Sequence, residues 1–182
     1  MPAEESHEAG RSGVLRAKHL LWQVLGDAID LPFNAYDHGP KLTFGDTGDI
    51  QAASFSFDLK GILRRDAKER ASGQETVEVF VEVKSRQRGN DLLREYEIFL
   101  RRAAIVSSDD RHRDTWFIFL AGAPFGTTVG RELCDGSFLS RCRENWEDAL
   151  KRSSGNLEAR ICLLISTPSL ERLLDRWGRN RG

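Results

Sequence analysis

Apolar and polar residues alternate along two neighbouring stretches of the chain, residues 54–60 and residues 77–84. In the first stretch the apolar side chains occupy the odd positions, and in the second every odd position is valine. A period of two is typical of β-strands that bury one face. The charged segment between them, residues 65–74, contains Gly73 and is typical of a hairpin loop. The pattern therefore predicts two adjacent antiparallel strands.

Apolar residues at helical spacing predict helices on either side of these two strands. The first helix is predicted at residues 13–29 and the second at residues 91–106, where Asn90 can cap the N-terminus. Two further apolar runs, residues 115–121 and 159–167, predict strands. The remaining predicted elements are an irregular region at residues 32–48 with a short strand at 42–44, a glycine-rich loop at 122–130, a helix at 131–151 and a final helix at 169–177.

The order of these elements indicates an α/β fold in a single domain at residues 13–182. Of the 182 residues, 40% are hydrophobic, which is enough apolar content for one compact core. Residues 1–12 are polar and acidic and offer little to bury, so they are expected to form a disordered tail.

No apolar run in the sequence approaches the roughly 18 residues needed to span a bilayer. We therefore expect a cytoplasmic protein without a membrane partner.

The distribution of charge is more informative than its total. The formal net charge of -1 does not by itself indicate a protein that binds a polyanion. Residues 84–113, however, contain eight basic residues against five acidic ones. This excess could contact phosphates, or it could belong to a solvated helix face with charge pairs between successive turns. Neither the three cysteines nor the four histidines have the spacing of a metal site.

Two carboxylates are expected to face each other across the predicted hairpin. If the two strands pair as a symmetric hairpin, opposite residues have numbers with a constant sum, and a turn centred near Arg70 pairs Asp58 with Glu82. Their Cβ atoms would then lie within about 5 Å, where like charges are destabilising unless a cation neutralises them or one is protonated. Lys84 follows two residues later on the same face. Mg²⁺ suits such a site, because it prefers oxygen ligands and is held by one or two carboxylates.

These residues resemble a known family. Asp58, followed by Glu-Val-Lys at residues 82–84 at the end of an apolar strand, resembles the PD-(D/E)xK motif of the restriction-endonuclease-like nucleases, with Phe57 in the place of the motif's proline. The family core is a helix, three strands in a meander, a helix and a further strand, and the predicted order matches it over residues 13–121. The resemblance implies a central mixed β-sheet flanked by helices, with the rest of the chain as a C-terminal elaboration.

The resemblance also implies roles for the residues of the motif. Asp58 and Glu82 would ligate Mg²⁺, with Mn²⁺ as a substitute, and the main-chain carbonyl of Val83 would be a third ligand. Lys84 would position or activate the attacking water and offset charge in the transition state.

Several residues outside the motif are candidates for supporting roles. Many members of the family take an acidic or amide side chain from the first helix, where Gln23 and Asp27 are the candidates. Lys60, on the same predicted face, is an alternative to Lys84. The candidates for contacts with nucleic acid are Arg86, Arg88 and Arg94.

The expected function is that of a Mg²⁺-dependent nuclease that hydrolyses phosphodiester bonds, a DNA endonuclease of restriction, repair or defence acting as a homodimer or with a partner protein. One alternative is a catalytically silent nucleic-acid-binding or scaffold subunit that supports a larger assembly. Another is an ordinary edge strand, on which Glu78, Glu82 and Lys84 form cross-strand charge pairs and Asp58 lies opposite Lys84 in a shifted register.

Overall fold

A computed structural model describes residues 3–45, 54–64, 75–84, 89–122 and 157–165 of the chain. Within these residues the fold is α/β, with a mixed five-stranded sheet flanked by helices, which confirms the predicted class. The predicted hairpin loop, most of the glycine-rich loop, and the helices predicted at residues 131–151 and 169–177 lie outside the described residues.

The described elements are a long helix, five strands interrupted by one short helix, a second long helix and two further strands. The helices are α1 (Ala3–Leu25), α2 (Ala35–His38) and α3 (Gly89–Ser107), and the strands are β1 (Ile29–Asn34), β2 (Thr43–Phe44), β3 (Phe55–Ser56), β4 (Leu59–Arg64), β5 (Thr76–Lys84), β6 (Trp116–Ala121) and β7 (Ile161–Ile165). The main sheet has the order β1-β4-β5-β6-β7, while β2 and β3 form a separate pair. The first three strands of the main sheet are antiparallel, and β5, β6 and β7 are parallel. Strand β5 therefore lies at the centre, which makes the edge-strand interpretation wrong.

The register of β4 against β5 is the predicted one. Leu59 pairs with Val81 and Lys60 with Phe80, and the same constant sum brings Asp58 level with Glu82. The strand predicted at residues 54–60, however, is divided between β3 and β4. The N–H of Val83 on β5 is directed toward this division. It donates to the side chain of Asp58 and not to a main-chain carbonyl of the neighbouring strand. The chain can therefore leave the main sheet before Asp58, where β3 pairs with β2.

Both faces of β5 are covered, whereas the alternation predicted one exposed face. The valine face packs against α1 in a cluster that includes Leu21 and Val79. The opposite face packs against α3, where Phe80 belongs to a cluster with Phe99. Phe80 is 0% exposed and Glu82 only 4% exposed. The charged end of this second face is therefore held under a helix, and the expectation of a solvent-facing polar face was wrong.

The first helix and the strand after it differ from the prediction. Helix α1 begins at Ala3 and includes residues assigned above to a tail, and Arg11 of this segment pairs with Asp37 of α2 at 3.0 Å. The helix ends at Leu25, a 3-10 turn follows at Gly26–Ala28, and β1 begins at Ile29. This strand is at the edge of the sheet and carries a register shift, which is where a proline such as Pro32 can be accommodated, since an edge strand need not donate every N–H.

The other described elements agree with the prediction to within about two residues, as is usual for element ends. This holds for α3, for the short strand β2, and for β6 and β7. The helix that covers the second face of β5 is therefore one that the apolar spacing predicts.

The lack of a side chain at Gly61 lets the backbone of β1 lie close to β4. Gly61→Ala is therefore expected to lower the free energy of unfolding by about 2–3 kcal/mol. A Cβ at this position would lie 2.8 Å from the Cα of Leu31 and closer still to the main-chain oxygen of Asp30. Backbone atoms of a paired strand cannot move aside as a flexible side chain can. Urea denaturation measures the change. Gly39→Ala is the matched control, because a Cβ there meets nothing within 4 Å, and a similar loss in both variants would contradict the steric cause.

Candidate functional site

The backbone holds Asp58 at the end of β4 through three hydrogen bonds. Its N–H donates to the carbonyl of Val81 at 3.0 Å, and its own carbonyl accepts from the N–H of Ala35 at 2.9 Å. Its side-chain Oδ2 accepts from the N–H of Val83 at 2.7 Å. Because Val83 follows Glu82 directly, this last bond fixes the Asp58 carboxylate beside the strand segment that carries Glu82.

Glu82 lies between two cations. The Lys84 Nζ is 2.9 Å from the Glu82 Oε1, and the Arg102 Nη1 reaches the same oxygen from α3 at 3.3 Å. Lys84 is also 3.1 Å from the Glu95 Oε2 on α3. The other carboxylate oxygen of Glu82, Oε2, is buried and has no hydrogen-bond partner among the described residues. A buried polar atom in this state is unusual and costs free energy, so it requires an explanation.

Burial makes both carboxyl groups hard to ionise, and for Glu82 the neighbouring charge of Asp58 adds to this effect. Burial, reinforced by the charge of Asp58, raises the pKa of Glu82 to about 7, although Lys84 and Arg102 oppose the change. Burial also raises the pKa of Asp58, against the N–H of Val83 and the same two cations. Burial lowers the pKa of Lys84, but Glu82 and Glu95 raise it by more, so Lys84 stays protonated.

The two carboxylates offer hard oxygen ligands of the kind that Mg²⁺ and Mn²⁺ take. Glu82 Oε2 is the atom that most needs a cation. In the described part of the chain no group of three or more His, Cys, Asp or Glu residues could hold a metal ion. An ion at Asp58 and Glu82 would therefore need further oxygens from the main chain, water or a substrate phosphate, which is the usual situation for Mg²⁺.

The main-chain carbonyl of Val83 is oriented toward the side of Asp58. In a strand the N–H and C=O of one residue point to the same side, and successive residues alternate. The N–H of Val83 bonds to Asp58, whereas the carbonyl of Lys84 accepts from Gly122 on the β6 side at 2.7 Å. The Val83 carbonyl thus points away from β6 and toward the carboxylate pair, a position that suits the predicted third ligand.

The supporting residues suggested by the sequence are less closely connected to this constellation. Lys60 forms its ion pair with Glu78 at 2.7 Å, toward the other end of β5. Gln23 is half-buried in α1, and Asp27 is exposed in the turn that follows. Arg94 is exposed on α3, while Arg86 and Arg88 lie outside the described residues.

Glu78 is a half-buried ion-pair partner of the kind that the charge-pair alternative described. Besides Lys60, its carboxylate contacts the His112 Nδ1 at 2.6 Å and the Thr115 hydroxyl at 3.1 Å. Burial alone would raise the pKa of Glu78, but its hydrogen bonds to Lys60 and His112 lower it overall. The two glutamates on the same face of β5 therefore differ in kind: Glu78 is fully partnered and Glu82 is not.

Sequence reasoning missed Glu95 and Arg102 as members of the site. They lie seven residues apart on α3, so both side chains fall on nearly the same side of that helix. This spacing is visible in the sequence. Which side of α3 faces the end of β5 depends on how the helix packs, and no local pattern specifies that.

Comparisons with protein-family models, with curated proteins and with solved structures found no match to this chain. Among the described residues, no helix has the length and apolar content needed to cross a membrane. The geometry of the carboxylates and cations is therefore the basis for assigning a function to this chain.

Proposed function

We propose that this protein is a Mg²⁺-dependent nuclease that hydrolyses phosphodiester bonds, with DNA as the substrate. The observation that carries the proposal is the buried, unpartnered Oε2 of Glu82 beside the second carboxylate, Asp58. A bound divalent cation would satisfy that oxygen and remove the repulsion between the two groups. Without a divalent cation, the repulsion between the two carboxylates and the burial of Glu82 oppose the stability that their contacts with Val83, Lys84 and Arg102 provide.

The order of the elements supports a restriction-endonuclease-like core. Helix α1 precedes three antiparallel strands, β1, β4 and β5, and helix α3 leads to the parallel strand β6. This is the helix, meander, helix and strand order of that family, with α2, β2 and β3 inserted between the first two strands and β7 added at the end. The finer assignment of the fold is part of the proposal.

Each residue of the motif has a role that its position supports. Asp58, Glu82 and the Val83 carbonyl would hold the cation, which supplies Lewis-acid polarisation of the phosphate when bound. Lys84 carries a fixed positive charge within 2.9 Å of Glu82, where it can orient the attacking water and offset charge that develops on the phosphate. Arg94, together with Arg86 and Arg88 on the same stretch of chain, remains a candidate for contacts with the DNA backbone.

The first test is whether a divalent cation is required for cleavage. Purified protein is incubated with supercoiled and linear DNA, and with RNA, in Mg²⁺, in Mn²⁺ or in a chelator. We expect cleavage of DNA only with the metal, and loss of that cleavage in Asp58→Asn. The control Asp114→Asn, which changes an exposed aspartate in a turn, is expected to cleave normally.

Three results would count against the proposal in different ways. Metal-dependent cleavage that persists in Asp58→Asn rejects the residue assignment. Salt-sensitive DNA binding without cleavage favours the silent nucleic-acid-binding subunit instead. Cleavage that appears only on adding a partner from a larger assembly would keep the site but make its activity conditional. Homodimerisation, the biological pathway and a cytoplasmic location stay predictions.

A further inference from the structure

Arg102 occupies an unusual position for a surface helix residue. Its guanidinium lies 3.3 Å from Glu82 and 5.4 Å from the centre of the Phe55 ring, so it is held between a buried carboxylate and an aromatic face. Its side chain still keeps 28% of its surface exposed. The neighbouring residue Arg101 is exposed on the same helix. Arg102 is therefore in contact with both the carboxylate site and the solvent.

The balance of charge around Glu82 changes when a divalent cation is present. In the metal-free protein Lys84 and Arg102 offset the charges of Asp58 and Glu82, and Glu95 adds one further negative charge beside Lys84. A divalent cation bound at the free Oε2 would neutralise the Glu82 carboxylate and repel the guanidinium of Arg102, which would weaken the contact of Arg102 with Oε1. The site would then carry excess positive charge, and a guanidinium that no longer has its carboxylate would face the solvent side.

We propose that Arg102 is a phosphate-contact residue whose availability is coupled to the metal: it pairs with Glu82 in the metal-free protein and with a phosphate of the nucleic-acid backbone once a divalent cation occupies the site. This inference rests on the proposed function, since it requires the cation at Asp58 and Glu82. Arginine suits the role because its planar fork matches two phosphate oxygens. The consequence is that metal and nucleic acid bind cooperatively, each raising the affinity for the other by the same factor.

A purely structural role for Arg102 makes a different prediction. If Arg102 only held Glu82 in the right orientation, its removal would weaken metal binding. If its positive charge instead opposes that of the metal beside Glu82, its removal leaves metal affinity unchanged or increases it. Mn²⁺ affinity measured without nucleic acid therefore separates the two roles, and this readout does not depend on catalytic activity.

The experiment compares Arg102→Gln with the matched control Arg101→Gln, which removes the same charge from an exposed position on the same helix. Mn²⁺ binding is measured by calorimetry, and binding of a short fluorescein-labelled DNA duplex by anisotropy in chelator or in Ca²⁺, which replaces Mg²⁺ to slow cleavage. In the wild type and in Arg101→Gln, Ca²⁺ is expected to tighten DNA binding by about tenfold. In Arg102→Gln this gain is expected to fall to about twofold or less, with Mn²⁺ affinity at or above that of the wild type.

Two controls separate the role of Arg102 from a loss of folding: circular dichroism shows whether each variant is folded, and Arg102→Lys shows whether a conservative change restores the effect. The lysine variant keeps the charge but lacks the fork, so a folded Arg102→Lys is expected to recover part of the Ca²⁺-dependent gain. A full gain in Arg102→Gln, or weaker Mn²⁺ binding in that variant, overturns the inference and leaves the metal site intact. If the wild type does not bind Mn²⁺, or if Glu82→Gln binds it as well as the wild type does, the proposed function fails and the inference fails with it.

Discussion

Lys84→Ala is expected to slow metal-dependent DNA cleavage by about 100- to 1,000-fold, whereas Lys60→Ala leaves the rate within about twofold. Both lysines project toward the face of the sheet that α3 covers, and both form an ion pair with a glutamate of β5. Lys84 contacts Glu82, the residue with an unpartnered oxygen, and Lys60 contacts the fully partnered Glu78. Loss of a cation should therefore affect the chemistry only at the Glu82 end.

Single-turnover cleavage with saturating Mg²⁺ measures this effect separately from substrate binding. Thermal denaturation checks that both variants are folded, and Lys84→Arg tests whether charge alone is sufficient. If Lys60→Ala has the larger effect, Lys60 is the residue that acts and the assignment of Lys84 is wrong. If neither variant loses activity while the chelator still abolishes it, a cation other than these two lysines must serve, and Arg102 is the described candidate.

The register that joins Asp58 to Glu82 could be predicted because two strong local signals agree. The valine alternation fixes which residues of β5 share a face, and symmetric pairing of the two strands fixes their partners. The division of the first strand could not be predicted, because the alternation continues without a break through Phe57. What ends the ladder there is the side chain of Asp58 taking the N–H of Val83, which is a tertiary contact.

The burial of Glu82 and the roles of Glu95 and Arg102 lie beyond local sequence patterns. Phe80 was the one residue of the polar face of β5 that indicated a cover over this face. The other residues of that face between positions 77 and 84 are charged and indicate exposure to solvent. Strand β1 was missed for a similar reason, since Pro32 argues against a strand unless that strand lies at an edge. In each case the packing of a neighbouring element decided between interpretations that the local pattern left open.

Glu82→Gln is expected to make the metal-free protein more stable above pH 7, by about 3 kcal/mol. The pKa of Glu82 is raised in the folded state to about 7 from an ordinary value of 4.5. The stability associated with this group is therefore fully present below pH 4.5 and is lost as the pH rises to about 7, because the unfolded chain ionises first. Glutamine has nearly the shape of the protonated acid but cannot ionise, so the variant avoids this loss.

Glu78→Gln is the matched control, and its expected effect has the opposite sign. The pKa of Glu78 is lowered in the folded state, so this group stabilises the protein at neutral pH and its contribution disappears as the pH falls through the folded pKa. Urea denaturation from pH 4 to pH 8 measures both effects. As the pH rises, the free energy of unfolding of Glu82→Gln should increase relative to the wild type, and that of Glu78→Gln should decrease.

Added Mn²⁺ should stabilise the wild type and leave Glu82→Gln unchanged, because a cation that binds only the folded state shifts the unfolding equilibrium. Equal stabilisation of both by Mn²⁺ would show that the ion binds elsewhere, and a loss of stability in metal-free Glu82→Gln would show that its pairs with Lys84 and Arg102 outweigh the cost of burying its charge.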